Sequence, residues 1–110
     1  MGHFPLTPDL LELIAERFKA LAEPARLRIL NALREGEKTV GELMEETGFG
    51  QANVSKHLRL LHSLGFVERR KEGLYVHYSL QGEDVFQLCD IVCGRLAAEA
   101  DARGRMFDVA

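Results

Sequence analysis

Gln51, Asn53, Ser55, Lys56 and Arg59 fall within one short stretch, and Arg69, Arg70 and Lys71 follow as an uninterrupted basic run. These residue types suit a nucleic acid. Gln and Asn can each pair bidentately with adenine in the major groove, and Lys or Arg with guanine. Ser55, close to a helix start, suits a phosphate oxygen, as does the helix N-terminus itself. From Gly50 to Lys71 the chain carries five basic residues against the single acid Glu68, a local charge of +4. The whole chain stands at −3, so the remainder is clearly negative. Overall acidity points weakly away from nucleic acid. A basic face on an acidic body can still grip phosphates, while the acidic remainder limits non-specific adhesion.

The second group with chemistry is the pair Cys89 and Cys93. Four residues apart on a helix, they share one face. Two thiolates at that spacing can hold a soft metal ion or a metalloid, although full coordination needs more ligands, which a second copy of the helix could bring. They could also oxidise, or pack as small apolar residues at an interface. An enzymatic role is not expected. A catalytic thiol pair sits as Cys-x-x-Cys at a helix start, where the dipole lowers the thiol pKa, and these cysteines are mid-helix with different spacing. No Gly-rich phosphate loop or acid–base pair accompanies them. Of the histidines, His3 lies in a loose terminus, His62 is five residues from His57 on the same helix, and His77 is expected to face solvent. Their spacing makes no ligand cluster.

The elements that must position these groups are legible as helix, helix, helix, helix, hairpin, helix. Thr7 as N-cap with Pro8 behind it opens a helix over about 8–22, striped by Leu10, Leu11, Ile14, Phe18 and Leu21. Pro24 starts a second helix that Gly36 ends. Thr39 and Glu42 have capping-box spacing and begin a short third helix that stops near Gly48. A fourth runs from about Gln51 to Leu64, with Val54, Leu58 and Leu61 inward. The period then changes to two: Val67, and later Val76, Tyr78 and Leu80, alternate with polar residues. Arg70-Lys71-Glu72-Gly73 reads as the hairpin turn, which puts Arg69, Arg70 and Lys71 at its tip. A last helix over about 83–102 carries Val85, Leu88, Val92 and Leu96, and the tail after Gly104 is expected to fray.

At 110 residues the chain suits one domain, and 46% hydrophobic residues make it globular, not disordered. No apolar run approaches the ~20 residues that span a bilayer. Met1 to Pro8 lacks the pattern of a secretory signal, and with two cysteines this points to a reducing cytoplasm.

Two short helices joined by a tight turn and followed by a basic hairpin make the layout of a winged helix-turn-helix, mostly α with a small β-hairpin. The run Val54-Ser55-Lys56-His57-Leu58, then Leu61, Gly65, Val67, Arg69, Gly73, Tyr78 and Leu80, resembles the signature of the ArsR/SmtB family of winged-helix repressors. Leu21-Ala22-Glu23-Pro24-Ala25-Arg26-Leu27-Arg28-Ile29-Leu30 resembles that family's entry to its second helix. The likeness covers roughly residues 10 to 100. It implies a homodimer built by the first and last helices, and release from DNA by a bound inducer. It also places His57 among the DNA-binding residues, in a phosphate or structural role and not a metal one. A two-fold dimer would set its recognition helices roughly 34–36 Å apart and so read an inverted-repeat operator in double-stranded DNA. The alternative is a winged-helix protein-interaction module without DNA binding. Such modules usually lack an outward polar set on the fourth helix and a basic wing.

This chain departs from the family pattern at its ligand sites. Val40-Gly41-Glu42-Leu43-Met44, matching the thiolate site on the third helix, has no cysteine. Of Gly82, Asp84, Arg95 and Ala98, near the zinc positions on the last helix, only Asp84 could serve. Asn31 stands near the place where the persulfide-sensing branch has a cysteine.

Overall fold

A computed structural model of the chain describes residues 3–103. Within them run helix α1 (Pro8–Leu21), helix α2 (Pro24–Ala32) and a 3-10 turn (Leu33–Glu35). Strand β1 (Lys38–Thr39), helix α3 (Val40–Thr47) and helix α4 (Gln51–Ser63) follow. Strands β2 (Val67–Glu72) and β3 (Tyr75–Leu80) then lead to helix α5 (Asp84–Arg103). The tail after Gly104, expected to fray, lies outside the described residues.

Side-chain chemistry sets the helix starts. Thr7 Oγ1 accepts from the Leu10 N–H at 3.2 Å, one residue ahead of Pro8. At α3 the capping box closes in both directions. The Thr39 N–H donates to Glu42 Oε1 at 2.8 Å, and the Glu42 N–H donates to Thr39 Oγ1 at 3.2 Å. Gly48 ends α3 at φ +77°, a backbone state that side chains rarely adopt.

The turn between α3 and α4 is fixed from two sides. Buried Thr47 donates its hydroxyl to the Leu43 carbonyl and accepts from the Phe49 N–H at 3.2 Å. Arg28 of α2 donates to the Thr47 carbonyl at 2.9 Å and lays its guanidinium 4.8 Å from the centre of the Phe49 ring. Behind the turn, Ile29 and Leu30 of α2, Leu43 of α3, and Val54, Leu58 and Leu61 of α4 are fully buried in one cluster. Each such side chain contributes about 1.5–3 kcal/mol of transfer free energy. Together they hold α4 across the other helices with its opposite face free.

The sheet is three-stranded and antiparallel, in the order β1-β3-β2, and not the two-stranded hairpin expected. β1 pairs Lys38 with Tyr78 and Thr39 with His77. Two residues carry no hydrophobic period, so pattern reading passes over such a strand. The hairpin also turns later than expected. Pairs from Val67↔Leu80 to Glu72↔Tyr75 leave Gly73 and Leu74 as the loop. Gly73 has φ +61°, and positive φ at the first loop residue alone is the type II′ pattern that wants glycine there. Arg69, Arg70 and Lys71 therefore lie along β2, not at the tip, which Leu74 occupies at 97% exposure.

At the start of α5, Arg34 holds its guanidinium 4.0 Å from the Phe86 ring centre and reaches Glu83 at 3.9 Å. Val85 and Phe86 are buried and Cys89 packs at the edge of the core. Farther along, Ile91, Val92 and Leu96 are exposed. The radius of gyration is 16.5 Å. About 13 Å is expected for a compact chain of this length, so the molecule is more extended than a sphere-like domain. Among the described residues, no helix is long and apolar enough to cross a membrane.

Candidate nucleic-acid interface

The two sides of α4 differ in kind. Val54, His57, Leu58 and Leu61 face inward and are buried, at the i, i+3, i+4, i+7 spacing of a helix face. Gln51, Asn53, Lys56 and Arg59 are exposed on the other side, and Ser55 is half-buried beside them. The helix opens on Gly50, which supplies no side-chain cap to the first-turn N–H groups. Those donors and the positive end of the helix dipole are thus available to an external anion.

His57 stands apart from the exposed set with which it was expected to act. It is 7% exposed, and its Nδ1 accepts from Arg26 Nε at 3.2 Å. Burial, then the positive charges of Arg26 and Lys56, hold its pKa below the ordinary histidine value, against a smaller opposing effect of Glu23. The helical spacing of Val54, Leu58 and Leu61 already includes position 57, so this inward placement had a signal in the sequence. Arg26, its partner, had none: the two are 31 positions apart.

The basic strand also divides. Arg69 and Lys71 are exposed. Arg70 is taken up by two carboxylates: Glu37, bonded through both Nε and an Nη nitrogen, and Glu72 at 3.5 Å. The bond from Arg70 holds the Glu37 carboxyl below the usual carboxylate range, and Glu37 in turn raises the Arg70 pKa. Glu72 also meets His77 Nε2 at 3.6 Å, so His77 is part of this surface network, half-buried where free solvent was expected. Glu37, 33 positions from Arg70, could not be found by spacing.

Cys89 and Cys93 lie on one side of α5 as expected, half-buried and exposed respectively. Both line an apolar groove of about 560 Å³ whose other walls include Phe18 and Leu21 of α1 and Leu27 of α2. The thiols are thus far along the chain from α4 and belong to the α1–α5 side of the molecule.

A helix held by a fixed turn, polar outside and apolar inside, beside a sheet with a basic strand, is the geometry of a winged helix-turn-helix. The model of the family described as bacterial regulatory protein, arsR family, matches residues 23–69. These residues run from the start of α2 into β2 and include the whole helix-turn-helix. The uncharacterized HTH-type transcriptional regulator Rv0081 of Mycobacterium tuberculosis is 41% identical over 80 residues, 72% of this chain and 70% of its own. This chain belongs to the arsR family. It is a DNA-binding transcriptional regulator and not an enzyme.

Solved structures of arsR-type proteins agree with the fold. The crystal structure of Rv0081 superposes with a TM-score of 0.78 at 36% identity, covering 90% of this chain and 100% of that one. The homodimeric winged helix-turn-helix DNA-binding domain Mb0332 of Mycobacterium bovis gives 0.71 at 36% identity, covering 91% of each chain. Among relatives named for a metal, the cadmium resistance transcriptional regulatory protein CadC homolog of Staphylococcus aureus is 42% identical over 78 residues. That match spans 70% of this chain and 64% of the relative.

Proposed function

We propose that the chain is one DNA-binding domain, residues 1–110, that represses transcription as a homodimer paired through α1 and α5. The carrying observation is the two-sided build of α4, buried at Val54, Leu58 and Leu61 and exposed at Gln51, Asn53, Lys56 and Arg59. One α4 enters the major groove of each half of an inverted repeat. Gln51, Asn53, Lys56 and Arg59 read base edges, while Ser55 and the α4 N-terminus hold a phosphate. Arg69 and Lys71 follow the backbone from the wing, with Arg70 in a lesser role because its charge is already matched. His57 serves from behind the interface. Such work on the chromosome belongs in the cytoplasm. Selection from randomised duplexes followed by gel shift tests the reading: inverted repeats should emerge, with affinity falling steeply as salt rises. Recovery of no preferred sequence, or binding indifferent to salt, would defeat it.

Release by an inducer at Cys89 and Cys93 is a second reading, favoured by the position of both thiols in the apolar groove on the α1–α5 side. A soft metal ion or metalloid is the ligand class that thiolates select. One chain alone does not complete such a site. Among the described residues, no three or more of His, Cys, Asp and Glu gather as a metal cluster. Remaining ligands would have to come from the second protomer. DNA release by thiol-binding ions should vanish in the Cys89→Ser/Cys93→Ser protein. Unchanged release in that variant would remove the thiols from the account.

A further inference from the structure

Arg26 touches three elements at once. It stands in the first turn of α2. Its Nε donates to His57 Nδ1 on the buried side of α4 at 3.2 Å, and its Nη1 donates to the Ala20 carbonyl, near the end of α1, at 3.1 Å. Neither the recognition surface nor the thiol groove includes it. Yet it makes a polar link between α4, the helix that meets DNA, and α1, the helix that faces the second protomer.

The hydrogen bond sets a condition on His57. Arginine only donates, so Nδ1 must be the unprotonated acceptor, and the imidazole is neutral with its proton on Nε2. A second proton would remove the acceptor and set two cations side by side at a site 7% exposed. The charged groups acting on His57 are Arg26 of α2, Lys56 of α4 itself and Glu23 at the α2 N-cap, two cations against one carboxylate. Among the described residues, α3 and β2, also packed against α4, add no charge that bears on it.

We propose that Arg26 is a positioning residue for DNA recognition, tying α4 to the end of α1 through His57 and the Ala20 carbonyl, and that the tie holds only while His57 is neutral. The inference rests on α4 being the helix that meets DNA. Acidification then breaks the tie from behind the interface, without any change in the groups that touch DNA.

The test uses a fluorescent duplex chosen by the wild-type protein from randomised DNA, at fixed ionic strength, from about pH 7.5 to about pH 5.5. The wild type should lose about tenfold in affinity across that range, the scale of one charge-assisted hydrogen bond. His57→Asn keeps an acceptor near the Nδ1 position but does not titrate, and should lose none. Arg26→Met keeps the stem without the donors. It should bind more weakly at every pH, show no step with acid, and remain dimeric in sedimentation. Superimposable pH profiles for the wild type and His57→Asn, or wild-type affinity in Arg26→Met, would overturn the proposal. Should His57→Asn fail to fold, imidazole nitrogen spectra of the wild type decide instead, since an Nδ1–H tautomer at neutral pH is incompatible with the tie. Absence of duplex binding at the higher pH would overturn the assignment of α4 along with this inference, an outcome distinct from a flat pH profile.

Discussion

At the scale of single residues, neighbours decide which polar groups are free to meet DNA, and residue type does not. Gln51 is exposed at the first position of α4. Gln51→Ala should cost on the order of 1–3 kcal/mol at one or two base positions and leave other positions unchanged, as read by competition with single-base operator variants. Arg69→Ala should weaken all sequences alike and lower the salt slope by about one. Within the basic strand, three adjacent cations look equivalent in sequence and are not. Arg69 and Lys71 are open, whereas Arg70 is neutralised by Glu37 and Glu72. Arg70→Ala should therefore reduce the salt slope less than Arg69→Ala or Lys71→Ala, and Glu37→Gln should strengthen binding by freeing Arg70. Equal slopes for all three alanine variants would show that the Glu37 pair dissolves on DNA. The sequence stretch alone located this basic face. It could not apportion it, because Glu37 meets Arg70 only through the fold.

At the scale of elements, local chemistry was legible where it is short-range. Thr7 and Pro8, the Thr39/Glu42 box and the glycines at helix ends each act within four residues, and the helices begin and end near them. What escaped depends on pairing between distant segments: β1, whose two residues gain strand character only from β3, and the true wing tip, set by the register of Val67 with Leu80. The capping box makes a pH-dependent prediction. Hydrogen bonds from the Thr39 backbone, with further help from its side chain, hold the Glu42 pKa below its ordinary value of 4.5. A carboxylate with a lowered folded pKa stabilises the protein above the unfolded value. That contribution is lost as pH falls through the folded one. The cap should thus hold at neutral pH and weaken only in acid below about 4.5. Thr39→Ala should lower stability by about 0.5–2 kcal/mol in urea denaturation at neutral pH. Glu42→Ala, which removes the carboxylate that accepts from the Thr39 N–H, should show a deficit at neutral pH that shrinks in acid, where the wild type loses the same half of the box. A Glu42→Ala deficit independent of pH would mean that the Glu42 charge adds nothing to the cap.

At the scale of the molecule, α5 needs explaining. The first turns of this helix are fastened by Arg34, Val85 and Phe86, yet Ile91 is 62% exposed and Val92 55%. On α1, Leu13 and Phe18 are similarly open. A monomer that leaves two helices so apolar exposes a patch of the kind that marks an interface. Both helices wall the groove that holds the thiols, and no residue of α4 lines it. Pairing there would leave both copies of α4 free and couple them through one rigid body. Val92→Asp separates the two functions. Its side chain is exposed, so folding should survive, and circular dichroism should match the wild type. A buried carboxylate on each side of a helix–helix seam would oppose pairing, since an unpaired charge is costly to desolvate. Sedimentation should then report a monomer. Each monomer keeps its own α4 and wing, so affinity for a single half-site should be unchanged. Affinity for the full inverted repeat should fall by about 10²–10⁴, because the second contact no longer follows from the first. A variant that is monomeric yet binds the full repeat like the wild type would show that the two half-sites are read independently, and that α1 and α5 serve something other than operator recognition.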